Sequence, residues 1–277
     1  MRPVFAACSR RLRTPRLSLL LCIAAFVSAC STGPKIGNTP IDESIQAQGQ
    51  NSRVRHIVLH YTAGDTATSL KVLSERDVSS HYLITDDSPP KLYRLVDENR
   101  RGWHAGLSRW GEYTDLNTSS IGIEIVNAGR QADGTWAPYT KAQIDLTIEL
   151  LKDLVARHRV TPSNIVGHSD IAPQRKVDPG PLFPWAQLAE AGLGRWYDEN
   201  LAVHYQQDYE LQGMPSTAEL QKQLKTLGYD IDINGELDRS TQNVVAAFQM
   251  RYRPQRYDGV PDPQTAAILK ALLHSAR

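Results

Sequence analysis

The residues best suited to chemistry are histidines and carboxylates that follow apolar runs of the sequence. His60 lies near the end of the run "VRHIVLHYT", and His168 follows "NIVG" within the stretch "GHSDIAPQRKVDPGP" (167–181). Asp170 and Asp178 belong to the same stretch, whose prolines exclude a continuous helix. A catalytic zinc ion needs three protein ligands and an open fourth position, and two imidazoles with one carboxylate meet that need. The spacing leaves open whether Asp170 or Asp178 would be the third ligand. Each of these residues taken singly could be structural.

Four short segments predict the strands that position these side chains. They are 54–62, 81–85, 91–96 and 120–126. Each is apolar or alternates in polarity, as strands of a sheet do, and Glu124 lies opposite the isoleucine face of the last segment. Helices are predicted over 67–76 and 140–158, and Thr140 with Gln143 forms a capping box at the start of the second. The chain is therefore predicted to be an α/β protein, with a mixed central sheet flanked by helices.

A second unit is predicted to begin near Ser216, after a polar linker over 196–215. Three short helices follow, and each starts at a residue that commonly caps helices, namely Ser216, Asp238 and Asp262. Two copies of the pattern G-x-x-D-x-x-T place a turn glycine before the second and third helices. These features predict a small all-α domain of three helices over 216–277.

The amino-terminal segment has the composition of an export signal. Residues 1–29 contain five arginines and no acidic residue, and the apolar run "LSLLLCIAAFVSA" has 13 residues, which is short for a membrane span. A membrane anchor or a buried helix is the alternative. The sequence "VSAC" resembles the lipobox of bacterial lipoproteins, which predicts a signal peptide over 1–29, a lipid on Cys30 and a tether over 30–50. Ser31, in place of aspartate, implies sorting to the outer membrane.

The composition excludes several other functions. Without residues 1–29 the chain has 26 basic and 30 acidic residues and a net charge of −4, so nucleic acid is not an expected partner. The motifs H-E-x-x-H and G-x-S-x-G and the Walker loop are absent from the sequence. The cysteines are Cys8, Cys22 and Cys30, so a mature chain that begins at Cys30 has neither a disulfide nor a catalytic thiol.

Five motifs in order resemble those of the zinc-dependent N-acetylmuramoyl-L-alanine amidases of the amidase-2 type. They lie between residues 50 and 190 and read "IVLHYT", "SSHYLI", "WHAG", "SIGIEIVN" and "VGHSDIAPQRKVDPGP". The later stretch "GYDIDINGELDRSTQNVVAAFQ" is similar to the peptidoglycan-binding module of many wall hydrolases. The resemblance implies a fold like that of peptidoglycan recognition proteins and T7 lysozyme over 51–195. It also implies hydrolysis of the amide bond between the lactyl group of N-acetylmuramic acid and L-alanine, at the periplasmic face of the outer membrane.

The resemblance further implies roles for individual residues. His60, His168 and Asp178 match the zinc ligands of the family, some members of which have cysteine in place of the aspartate. Glu124 matches the general base, which would take a proton from water and pass it to the leaving amine. Lys176 matches the cation that stabilises the oxyanion.

Other interpretations stay open at this point. Trp103 and His104 are interpreted as a wall of the substrate groove, and His81 as a buried, hydrogen-bonded histidine. Without the resemblance, Glu124 could lie on the solvated side of an edge strand and Lys176 could be an ordinary surface residue. A peptidoglycan-binding lipoprotein without catalysis and a zinc peptidase that cuts the stem peptide are the alternative functions. The expected partners are peptidoglycan or muropeptides and the membrane, and the chain is expected to be a monomer.

Overall fold

The computed structural model describes residues 34–274, which belong to two compact units that divide after Gln50. The predicted signal peptide and Cys30 lie outside the described residues. In the first unit, strands β1 (Lys35–Ile36) and β2 (Thr39–Pro40) form an antiparallel hairpin in which every residue is exposed. The described part of the predicted tether therefore contains a short hairpin.

The second unit is built on a five-stranded mixed sheet. In chain order its strands are β3 (His56–Tyr61), β4 (Tyr82–Ile84), β5 (Leu92–Arg94), β6 (Arg109–Trp110), β7 (Tyr113–Thr114), β8 (Ser120–Ile125) and β9 (Ile165–Gly167), of which β6 and β7 form a separate hairpin. The sheet order is β5-β4-β8-β3-β9, and every pairing in it is parallel except that of β4 with β5. Because β3, β8 and β9 are parallel neighbours, the residues at their carboxyl ends meet at one edge of the sheet.

Eight helices and one 3₁₀ turn (Pro162–Asn164) accompany the strands in residues 51–274. They are α1 (Thr66–Glu75), α2 (Lys141–His158), α3 (His168–Ile171), α4 (Trp185–Glu190), α5 (Glu199–Gln212), α6 (Thr217–Leu227), α7 (Arg239–Tyr252) and α8 (Pro263–His274). The predicted capping box of α2 is present, since the Thr140 hydroxyl accepts a hydrogen bond from the Gln143 backbone and the Gln143 side chain accepts one in return. Within the described residues, no helix combines the length and the apolar character that crossing a bilayer would demand.

Hydrophobic residues are buried on both faces of the sheet. On one face Ile57 and Leu59 of β3 and the three isoleucines of β8 pack against α2 and α4. On the other face Val58 and Val166 belong to the same buried cluster as the apolar side chains of α6, α7 and α8. The carboxyl-terminal helices thus complete the core of the sheet. The predicted fold class is confirmed, whereas the domain boundaries at 195 and 216 stay predictions.

Fourteen residues of the predicted linker 196–215 form helix α5. Asp198 caps the helix by accepting a hydrogen bond from the Leu201 backbone. Tyr205 and Tyr209, one helical turn apart, pack against the carboxyl-terminal cluster, and the Lys270 ammonium of α8 lies 4.0 Å from the centre of the Tyr205 ring. The rest of α5 is covered by polar residues. Its composition is therefore like that of a linker, although one face packs against the carboxyl-terminal cluster.

Candidate metal centre

The sheet brings together three of the side chains that the sequence singles out. His60 lies near the carboxyl end of β3, and His168 is the first residue of α3, directly after β9. The register pairs Leu59 with Gly167, so the residues that follow, His60 and His168, are neighbours across the two parallel strands. The proline-rich loop then returns Asp178 to His168, where the Ser169 backbone donates a hydrogen bond of 2.8 Å to the Asp178 carbonyl.

Three donor atoms converge at this point. The Nδ1 atoms of His60 and His168 are 2.9 Å apart, and each lies 3.0 Å from Oδ2 of Asp178. Bonds of ~2.0–2.1 Å at tetrahedral angles would separate zinc ligands by ~3.3 Å, so these spacings are close to those of a zinc site. All three side chains are buried. Two histidines and one carboxylate with this convergence fit a zinc ion.

The protonation states also suit a cation. The Nε2 atom of His168 lies 3.1 Å from the carbonyl oxygen of Ala105, and donation to that oxygen would leave Nδ1 available to a cation. Burial, and then the neighbouring His168, lower the pKa of His60 to about 4. Burial alone would raise the pKa of Asp178, but the adjacent imidazoles of His168 and His60 hold it below its usual range. Near neutral pH, His60 is therefore neutral and Asp178 is ionised.

Glu124 lies beside the three candidate ligands. It pairs with His60 in the register of β3 and β8, and both residues line the same cavity. Burial, together with the charge of Asp178, raises the pKa of Glu124 to about 8. Its Oε2 atom is buried and has no hydrogen-bond partner among the described residues. A buried carboxyl oxygen without a partner is costly, which is typical of a group held for chemistry.

The cavity has a volume of about 430 Å³ and is also lined by Lys176, Trp103 and His104. Lys176 follows a turn in which its backbone donates to the Ala172 carbonyl, and its positive charge lowers the pKa of Glu124. The Trp103 side chain is 54% exposed and lines the cavity. His104 is only 9% exposed, and its Nδ1 atom lies 3.0 Å from Nε2 of His60. His104 therefore contacts the candidate ligand His60 directly as well as lining the cavity.

Asp170, the alternative that the spacing left open, has a different environment. Its carboxylate accepts hydrogen bonds from the Gly167 backbone at 2.8 Å and from the Tyr229 hydroxyl at 2.7 Å, and it pairs with the Arg251 guanidinium at 2.5 Å. Arg251 also donates to the Ile165 carbonyl and lies over the ring of Trp185. This buried network joins α7 to the start of α3 and uses Asp170 for structure.

His81 is buried and hydrogen-bonded, as the sequence interpretation expects. Its Nδ1 atom accepts from the Gly122 backbone at 3.0 Å, and its Nε2 atom lies 3.1 Å from the Arg100 carbonyl. The contact of His104 with His60 and the pair of Asp170 with Arg251 were not predicted. No local pattern could indicate them, because each joins residues more than 40 positions apart.

The arrangement of the site can be compared with known proteins. Residues 50–181 match the family described as N-acetylmuramoyl-L-alanine amidase, and residues 214–269 match the family described as putative peptidoglycan binding domain. Over 241 residues the chain is 43% identical to the N-acetylmuramoyl-L-alanine amidase AmiD of Escherichia coli (strain K12), a match that covers 84% of this chain and 87% of AmiD. The chain belongs to the N-acetylmuramoyl-L-alanine amidase family. The amidase activity predicted from the five motifs is thereby confirmed.

Solved structures agree with this assignment. AmpDh3 of Pseudomonas aeruginosa matches this amidase with a TM-score of 0.79 and 41% identity over 85% of this chain and 98% of AmpDh3. E. coli AmiD, solved with the substrate anhydro-N-acetylmuramic acid-L-Ala-D-gamma-Glu-L-Lys, matches with a TM-score of 0.75 and 42% identity over 85% of this chain and 94% of AmiD. Both matches extend well beyond the amidase motifs, so they include carboxyl-terminal residues of this chain.

Proposed function

We propose that this amidase cleaves the bond between the lactyl group of N-acetylmuramic acid and L-alanine with a zinc ion held by His60, His168 and Asp178. The observation that carries the proposal is the convergence of three buried donor atoms beside an unpartnered carboxyl oxygen of Glu124. When bound, zinc supplies a Lewis acid that polarises a carbonyl and makes water more acidic.

Glu124 is proposed to move the proton. As a carboxylate it takes a proton from the water that attacks the lactyl carbonyl, and it then gives that proton to the nitrogen of L-alanine as the C–N bond breaks. The products are a lactyl carboxylate and a free amino terminus on L-alanine. A pKa raised to about 8 by burial suits both steps, because the protonated and ionised forms of Glu124 are then close in free energy near neutral pH.

Lys176 is proposed to stabilise the negative charge that develops on the carbonyl oxygen. It lines the cavity with Glu124, and its half-buried position strengthens its electrostatic effect. A single donor aimed at an oxyanion contributes ~3–4 kcal/mol to transition-state stabilisation. Trp103, which lines the cavity, is proposed to contact the substrate.

The proposal is tested by digesting muropeptides with His168→Ala and Glu124→Gln and analysing the products by mass spectrometry. His168→Ala should lose both zinc and activity. Glu124→Gln should bind zinc normally but lose activity by ~10²–10⁴-fold, because the amide cannot accept the proton. The matched control is His204→Ala, which removes an exposed histidine of α5.

Each outcome has a definite meaning. Wild-type activity in His168→Ala would refute the zinc site, and wild-type activity in Glu124→Gln would refute the proton-transfer role. Fragments cut between peptide residues, in place of a free L-alanine amino terminus, would indicate a peptidase. Binding without any cleavage by the wild type would indicate a module that only recognises peptidoglycan. The rates of hydrolysis of muropeptides with ordinary and with anhydro sugars, measured in parallel, show which form the enzyme prefers.

We further propose that residues 216–277 bind peptidoglycan and that a lipid on Cys30 anchors the enzyme to the periplasmic face of the outer membrane. The match of residues 214–269 to a peptidoglycan-binding family supports the first part, and the "VSAC" sequence supports the second. Both attachments would raise the local concentration of the enzyme at the wall. Mass analysis of the mature amino terminus tests the anchor, since an unmodified Cys30 contradicts it. Light scattering of the purified chain tests the expected monomer.

A further inference from the structure

We propose that the carboxyl-terminal helices position Lys176, because the Gln174 side chain fastens the turn that carries this lysine to the start of α7. The turn covers residues 172–176 and lies between α3 and Asp178. This inference rests on the proposed role of Lys176 in stabilising the oxyanion. It makes Gln174 a positioning residue, which acts on the reaction through Lys176.

The turn has little regular structure of its own to hold Lys176 in place. In the described chain, no helix or strand lies between Ile171 and Trp185. Within the turn, the backbones of Arg175 and Lys176 each donate a hydrogen bond of 3.1 Å to the Ala172 carbonyl. Among residues 34–274, no carboxylate forms an ion pair with Lys176. The position of the lysine therefore depends on what the other side chains of the turn contact.

Gln174 uses both ends of its side-chain amide to bind α7. Its Nε2 atom donates to the Ser240 carbonyl at 3.1 Å and lies 3.0 Å from the Ser240 hydroxyl oxygen. Its Oε1 atom accepts a hydrogen bond of 2.9 Å from the Asn243 amide. Ser240 and Asn243 lie near the amino-terminal end of α7, within the residues that match the putative peptidoglycan binding domain. Because the Ser240 carbonyl can only accept, the amide has one orientation, and the turn is joined to α7 at a defined point.

Arg175 joins the turn to a second part of the molecule, the segment 105–107. Its guanidinium donates to the Leu107 carbonyl at 2.8 Å and also to the Ala105 carbonyl. The turn is thus held between this segment and α7. Loss of the Gln174 contacts would leave the turn attached through Arg175 alone, and Lys176 would be less well placed.

The carboxyl-terminal residues also contact the far end of the same loop. A Cβ atom at Gly180 would lie 3.0 Å from the Trp136 ring, so the indole lies against the backbone of the loop. The indole N–H donates a hydrogen bond of 2.9 Å to the Tyr257 hydroxyl. Tyr257 in turn packs against the cluster that contains the apolar side chains of α6, α7 and α8. The segment between Gln174 and Gly180 is therefore supported near both of its ends.

The contacts of Gln174 suit a role in catalysis better than a role in folding. Helix α7 is a firm anchor, because its buried Arg251 pairs with Asp170 at 2.5 Å. The hydrogen bonds of Gln174 are exposed to solvent, and such bonds contribute little to the stability of a fold. A small displacement of a catalytic group, in contrast, can lower the rate of a reaction strongly. Gln174 is therefore expected to affect kcat much more than stability.

The test measures kcat, KM and zinc content of the full chain, with muropeptides as the substrate. Gln174→Ala should lower kcat by ~10-fold without changing KM or zinc content, because Lys176 is still present but less well placed. Asn243→Ala should cause a smaller loss, since the contacts of Gln174 with Ser240 remain. The matched control is Gln206→Ala, which removes an amide that donates to Glu210 within α5 and should leave kcat unchanged.

A double-mutant cycle separates positioning from a structural role. In the Lys176→Met background, Gln174→Ala should lower kcat no further, because the group that it positions is gone. A substitution that merely weakened the fold would lower kcat by the same factor in both backgrounds, and it would lower the urea midpoint of unfolding. Gln174→Ala should instead unfold at the same urea concentration as Gln206→Ala.

The possible results separate this inference from the proposed function. If Lys176→Met keeps the wild-type kcat, the oxyanion role is wrong and this inference is wrong with it. If Lys176→Met is impaired but Gln174→Ala is as active as Gln206→Ala, the positioning role alone is refuted. The positioning role is also refuted if Gln174→Ala lowers kcat equally in the presence and in the absence of Lys176.

Discussion

The buried pair of Arg251 and Asp170 leads to a quantitative prediction about how the carboxyl-terminal helices are held to the catalytic sheet. Their side chains are 3% and 1% exposed, and the two atoms that pair are 2.5 Å apart. Arg251→Met removes the guanidinium and leaves a buried carboxylate without its counter-ion. Breaking a buried pair in this way costs ~3–5 kcal/mol of the free energy of unfolding. That is a large part of the ~5–15 kcal/mol that stabilises a typical domain.

The remaining hydrogen-bond partners of Asp170 determine how much of the lost stability a second substitution, at Asp170, can recover. The Gly167 backbone and the Tyr229 hydroxyl still donate to the carboxylate in Arg251→Met. In the double variant Arg251→Met with Asp170→Asn, the amide has no charge, and it can still accept from Gly167. The second substitution should therefore recover ~2 kcal/mol or more of the loss, although each single substitution is destabilising.

The assay is urea unfolding of the zinc-saturated protein, followed by tryptophan fluorescence and circular dichroism. The control is Arg109→Met, which breaks an exposed ion pair with Asp230 at 3.2 Å between the same two parts of the molecule. An exposed pair contributes less than ~1 kcal/mol, so this variant should unfold almost like the wild type. The Arg251–Asp170 pair does not stabilise the fold in this way if Arg251→Met is no more destabilising than Arg109→Met, or if Asp170→Asn adds to its effect.

Two further predictions concern buried His56 and the cavity lysine. Burial lowers the pKa of His56 to about 4, against about 6.5 in an unfolded chain, so the unfolded state binds a proton first as the pH falls. His56 should therefore remove ~3 kcal/mol of stability between pH 6.5 and pH 4, and His56→Leu should flatten that dependence in urea unfolding. An unchanged pH dependence would contradict this. Lys176→Met should lower kcat by ~10²–10³-fold without changing zinc content, measured by muropeptide hydrolysis and metal analysis; an unaltered kcat would exclude the oxyanion role.

The sequence by itself determined most of the elements around the site, namely β3, β4, β5, β8, α1, α2 and the three carboxyl-terminal helices, and the type of chemistry at the site. The helix caps at Thr140, Ser216, Asp238 and Asp262 accept backbone hydrogen bonds where local patterns predict them. The isoleucines of β8 face α2, and Glu124 faces the cavity, because alternation in a strand depends only on position along the chain. Such features need no contact between distant residues, so they can be predicted from neighbours in the sequence.

The tertiary structure alone decided which candidates act together. Asp178 meets the histidines and Asp170 does not, although Asp170 is nearer to His168 in the chain, because the Asp170 carboxylate is bound by Arg251 and Tyr229. Likewise the packed face of α5, within the predicted linker, is apparent only beside α8. The contact of His60 with His104, 44 positions away in the chain, is likewise absent from any local pattern. Hydrogen bonds and packing act between atoms that folding brings together, and no pattern of neighbouring residues contains those distances.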